Sequence, residues 1–177
     1  ADSPMQYAEE VNSLRKITLI FMNEDLLCLP IVSSLQFPDE IKASDHKFIW
    51  QLVPRLTPLP KYLTVNQVRR YITLIKDIAE KIHDNDIVYT DWKFSNVMMN
   101  DDKLLLTDTD FLDLNDRNIC DIPTTHSRSN EFEKNYMKMK NNMFQNYDNE
   151  IITLDNHMAI RSMLMALRVL SGELTTD

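Results

Sequence analysis

Asp91, Lys93 and Asn96 stand within one short segment, Asp91-Trp92-Lys93-Phe94-Ser95-Asn96, and Asp108 and Asp110 follow the apolar run Leu104-Leu105-Leu106. These side-chain types suit chemistry at negatively charged oxygen. A carboxylate can accept or orient the proton of a hydroxyl, and an ammonium can stand beside an anionic group. An amide oxygen and a further carboxylate are hard ligands of the kind magnesium takes.

The segment has the D-x-K-x-x-N spacing of a protein-kinase catalytic loop, and Leu106-Thr107-Asp108 stands where the metal-binding Asp of the D-F-G element would follow, so this part of the chain resembles a protein kinase. The nine residues His83-Asp84-Asn85-Asp86-Ile87-Val88-Tyr89-Thr90-Asp91 resemble the kinase stretch from the end of helix E into that loop. More weakly, Glu10 with Leu14 resembles helix C, residues 26–35 resemble strand 4, and residues 48–56 resemble strand 5 entering the hinge. Asp155 and the helix running to Gly172 resemble helix F, whose leading Asp braces the catalytic loop.

The resemblance implies an α+β, truncated protein-kinase-like fold, with a reduced N-lobe over residues 1–57 and a partial, mainly helical C-lobe over residues 58–177. It implies Asp91 and Lys93 as catalytic residues, and Asn96, Asp108 and Glu10 as residues binding Mg-ATP. Asn96, Asp108 and Asp110 become the metal ligands. Asp108 is preferred to Asp110 because it follows the apolar strand most directly. The alternative to all of this is a coincidental solvated loop, and three spaced matches in the expected strand context argue against it.

The chain also departs from the kinase pattern. Tyr89 stands for the usual His and Thr90 for the usual Arg, which removes the cation that would read a phosphorylated activation loop. Asp108-Thr109-Asp110 replaces D-F-G, and no A-P-E element precedes Asp155. Fewer than ten residues precede Glu10, so the three strands carrying the Gly-rich loop and the phosphate-holding lysine are expected to be missing. The remaining C-lobe helices are expected to be missing too.

Two functions follow. One is a pseudokinase that binds or regulates another kinase, a kinase substrate or a signalling partner; the other is a minimal Mg-ATP-dependent serine/threonine phosphotransferase completed by a partner. Without its covering strands the N-lobe would expose a sheet edge and an apolar face, so a homodimer or a heteromeric complex is expected.

These residues need elements to position them. Thr64 with Gln67 has the spacing of a capping box, and Val68, Tyr71, Ile72, Ile75, Ile78, Ala79 and Ile82 line one face of the helix that follows. Ile87-Val88-Tyr89 reads as a short strand, and Asn96 to Leu106 as a hairpin turning at Asn100-Asp101-Asp102. Helical spacing recurs over residues 7–21, and residues 26–35 and 47–56 read as strands. Pro54, Pro58 and Pro60 mark an extended connection. Residues 115–149 read as a polar, loop-rich segment, and the helix over residues 155–170 is apolar all round, which predicts burial. His83 is expected to pack at the end of its helix, and Trp92 and Phe94 on the helices beneath the loop.

Gly172 is the single glycine among 177 residues, so no Gly-rich nucleotide loop exists in this chain and Asn and Asp must take the tight turns. A net charge of −8 argues against a nucleic-acid partner, which would need clustered Lys and Arg. Lys134 to Lys140 reads as a solvated helix face. Cys28 and Cys120 form neither a disulfide framework nor a zinc motif, which points to an intracellular, cytoplasmic protein. No apolar run reaches the roughly 18 residues of a membrane span. The Asn-, Ile- and Met-rich character is compatible with an AT-rich genome such as that of a large virus carrying a stripped kinase homologue.

Overall fold

The computed structural model describes residues 17–21, 24–29, 32–34, 50–109 and 147–177. Among these the chain is mixed α and β: strands β1 (Val32–Ser34), β2 (Trp50–Leu52) and β3 (Thr57–Pro58), helix α1 (Val65–Asp84), a 3₁₀ turn (Phe94–Asn96), strands β4 (Val97–Asn100) and β5 (Lys103–Leu106), and helix α2 (Tyr147–Leu170). Glu10, Asp110, Cys120 and Lys134 to Lys140 lie outside the described residues. So do most of the helix expected over residues 7–21, of which residues 17–20 are helical, and nearly all of the loop-rich segment.

Helix α1 starts where its sequence asks it to. Gln67 N–H donates to Thr64 Oγ1 at 3.2 Å while Thr64 N–H donates to Gln67 Oε1 at 2.9 Å, the reciprocal box that satisfies two otherwise orphaned groups. Thr64→Ala should cost about 1 kcal/mol, read from the urea midpoint; an unchanged midpoint would mean that water caps the helix equally well. The helix buries Val68, Tyr71, Leu74, Ile75, Ile78, Ala79 and Ile82. At its end Ile87 N–H returns to Ile82 O, and Asp86 takes the left-handed conformation at φ 56° that glycine usually supplies.

Helix α2 crosses α1 on a face of small residues. Ala159, Ser162 and Ala166 are buried there, which lets the two helices approach closely, and the Tyr71 and Ser162 hydroxyls share a buried hydrogen bond of 2.5 Å. The helix starts at Tyr147, so Asp155 lies inside it and does not lead it. Nor is the helix buried on all sides, as its sequence predicts. Ile160, Leu164, Leu167 and Leu170 are exposed, because the described core meets only one side of the helix.

The strands differ in detail from their sequence reading. Residues 26–35 do not form one strand: Leu27 bridges in parallel to Leu106, and β1 is a separate piece pairing antiparallel with β2, Ser33 opposite Gln51. The proline-rich connection contributes β3, which pairs antiparallel with β4 through Thr57–Met99 and Pro58–Met98, an edge position that tolerates a residue without an N–H. The stretch Ile87 to Tyr89 yields a single bridge residue, Val88, in place of a strand. The hairpin β4–β5 forms as read, closed by the Asn100–Lys103 pair across Asp101 and Asp102, with Asp101 at φ 52°. Among the described residues no helix is long and apolar enough to cross a membrane.

Candidate functional site

One buried carboxylate gathers the loop. Asp155 Oδ2 accepts from His83 Nε2 at 2.6 Å and from the Tyr89 N–H at 3.2 Å; its Oδ1 accepts from the Thr90 N–H at 2.7 Å and from Trp92 Nε1 at 2.9 Å. The end of α1, the loop and α2 thus meet on a side chain that is itself fully enclosed. Removing a carboxylate from water is costly unless donors replace the lost hydration, and four donors do so here. The expected bracing of the loop by Asp155 is therefore seen, while His83, read only as a packing residue, is a direct partner of it.

Thr90 stands at φ 64°, a left-handed conformation that a β-branched residue enters at a cost of about 1–3 kcal/mol. The Asp155 bond to its N–H helps to hold it there. That turn sends the next side chain, Asp91, away from Asp155 and toward Asn96 and Lys93.

Asp91 is 1% exposed. Its Oδ2 accepts from Asn96 Nδ2 at 2.6 Å and stands 3.3 Å from Lys93 Nζ. The 3₁₀ turn makes this meeting possible, because it folds Asn96 back so that Nδ2 also reaches the Asp91 carbonyl at 2.9 Å. Asp91 Oδ1 is buried without a hydrogen-bond partner among the described residues. The structure thus brings together three of the residues singled out in the sequence, Asp91, Lys93 and Asn96.

The end of the hairpin is tied to the same loop. Thr107 donates from its N–H and its Oγ1 to Asn96 O at 2.7 and 3.0 Å, and the Tyr89 hydroxyl donates to Thr107 O at 2.7 Å. Asp108 follows at φ 52°, exposed, and its carboxylate makes no hydrogen bond or ion pair among the described residues. Trp92 and Phe94 are buried as expected, Trp92 edge-on to Tyr89 at 4.9 Å and Phe94 tilted on Tyr71 at 5.2 Å.

Tyr89 was not foreseen as a link between loop and hairpin, although a tyrosine in an otherwise apolar strand needs a partner for its hydroxyl. Burial raises its pKa far above the usual range, and the nearby charges of Asp91 and Asp108 raise it further. Burial likewise raises Tyr71, opposed in part by the Ser162 hydrogen bond. Below about pH 10 both phenols are protonated folded or unfolded; above it the unfolded chain releases protons that the folded chain keeps, so stability falls as pH rises.

Well above pH 10 each phenol should steepen that fall by about 1.4 kcal/mol per pH unit, and urea unfolding between about pH 10 and 12 measures it. Tyr71→Phe and Tyr89→Phe should each flatten the slope. An unaltered slope would place these hydroxyls in contact with water.

Magnesium is the cation the resemblance implies, and the donor types suit it. Asn96 gives its amide nitrogen to Asp91 and carries an amide oxygen as well, and Asp108 has an exposed carboxylate, both hard donors. With a nucleotide bound, the cation would neutralise charge on the phosphates. Among the described residues no group of three or more His, Cys, Asp or Glu side chains is arranged to hold a metal ion. No protein-family model, curated protein or solved structure matches the chain, so its site is read from its own geometry.

Proposed function

We propose that this chain is a protein-kinase-like module acting as a pseudokinase, which binds or regulates another kinase or signalling partner in the cell and does not itself transfer phosphate efficiently. The observation that supports this most is the state of Asp91. Its carboxylate is buried and engaged by both Lys93 and Asn96, so the would-be base and the ammonium offset one another's charge. Phosphoryl transfer depends almost wholly on positioning and electrostatics, so where the charge of Lys93 is directed matters.

A specific observation keeps a second reading, a Mg-ATP-dependent phosphotransferase completed by a partner. Asp91 Oδ1 is buried without a hydrogen-bond partner among the described residues, and the exposed Asp108 stands beyond the loop that carries Asp91. Either arrangement would receive a hydroxyl or a cation well.

Calorimetric titration of the chain with Mg-ATP separates the two, run in parallel on Asp108→Ala. The pseudokinase reading expects no saturable binding at millimolar nucleotide and no release of γ-phosphate to a protein acceptor. Micromolar binding that Asp108→Ala abolishes would overturn it in favour of the phosphotransferase.

A further inference from the structure

The side of α2 that faces away from the core carries apolar side chains in water. Ile160, Leu164 and Leu167 are 45%, 53% and 47% exposed, and their spacing of four and then three residues aligns them in one stripe. The buried Met158, Ser162, Ala166 and Val169 occupy the opposite side of the same helix. Scattered exposed apolar residues are ordinary on any protein, but an aligned stripe is the form in which one helix receives another.

The charge along this stripe is opposite in sign to that of the chain. From Asn156 to Leu170 the helix contains no Asp or Glu, whereas the protein as a whole carries −8. Arg161 and Arg168, seven residues apart, form one edge of the stripe. Arg168 is held by Glu173 at 2.9 Å, and Arg161 has no carboxylate partner among the described residues.

We infer that this stripe is a docking surface for an acidic amphipathic helix of a partner protein, with apolar side chains on Ile160, Leu164 and Leu167 and carboxylates along the Arg161 edge. A second copy of the chain suits it less well. Antiparallel pairing would set the basic edge against itself, and parallel pairing would set it beside the uncharged edge of Met163 and Leu170. Neither supplies Arg161 with a counter-charge. This surface is independent of the phosphate chemistry considered above.

The test uses the full chain and two synthetic fluorescent helical peptides, one with Leu at heptad positions flanked by Glu, the other with Lys in place of every Glu. Anisotropy titrations should show the Glu peptide bound at least about tenfold tighter, with the difference shrinking in high salt. Leu164→Asp should weaken it about tenfold, and Arg161→Glu should reverse the preference toward the Lys peptide. Both positions are exposed, and circular dichroism checks that each variant is folded. Equal affinity for the two peptides, or no binding of either, would overturn the proposal. So would self-association in light scattering that Leu164→Asp abolishes, since the stripe would then be a homodimer interface.

Discussion

Asp155→Ala should destabilise the protein by about 3–5 kcal/mol, because it removes the common acceptor of three buried donors and the part-buried His83. The loss is not confined to one contact. The Tyr89 and Thr90 N–H groups and the Trp92 indole each lose an acceptor where they are buried, as does the part-buried His83, and an unsatisfied buried donor costs about 1–3 kcal/mol. A domain of this size has about 5–15 kcal/mol in total, so the substitution removes a large share of it.

Urea unfolding with an unchanged slope is the measurement. Asp155→Asn should fall between the two proteins, since one oxygen remains to accept from Thr90 and Trp92 while the amide group faces donors. A change below about 1 kcal/mol for Asp155→Ala would mean that water enters and takes over the four donors, and that the clamp is dispensable.

Trp92→Ala carries the second large effect, again about 3–5 kcal/mol, since the indole is 0% exposed and its removal leaves a cavity between loop and helices. Trp92→Phe separates the two contributions of that side chain. It keeps much of the volume and removes only the N–H donated to Asp155, at a cost of about 1–2 kcal/mol.

Because Trp92 and Asp155 touch, their effects should not add. The cycle built from Trp92→Phe and Asp155→Asn should show a coupling of about 0.5–3 kcal/mol. Strict additivity would show that the indole is held by packing alone and that its hydrogen bond contributes nothing.

These stability effects also bear on the candidate site. Asp155 holds the backbone on which Asp91 is mounted, through a Thr90 conformation that such a residue does not choose unaided. A weakened clamp would let Thr90 relax toward negative φ and turn Asp91 away from Asn96. Loss of any nucleotide binding in Asp155→Asn would therefore report on positioning, whereas the same loss in Asp108→Ala would report on a ligand.

By itself the sequence determined those features whose causes are local. The Thr64–Gln67 box depends on residues three apart, the buried face of α1 on a repeat of 3.6, and the β4–β5 hairpin on two short apolar runs around an Asn-Asp-Asp turn. The meeting of Asp91, Lys93 and Asn96 is similarly local, since one 3₁₀ turn brings them together. Among the described residues the positive φ values other than that of Gly172 fall on Asp86, Asp101 and Asp108, as a chain with one glycine requires, with Thr90 the exception.

Only the tertiary structure decided the rest, because the groups concerned are far apart along the chain. Asp155 meets Thr90 across 65 positions, and no periodicity announces which carboxylate will be enclosed by which donors. Pro58 reads as part of a connection until Met98 is beside it to make it an edge strand. Residues 155–170 read as apolar all round, which predicted burial throughout; the packing of α1 on one side left Ile160, Leu164 and Leu167 in water. Apolar residues record what a helix can bury, and the packing of its neighbours determines which of them it does.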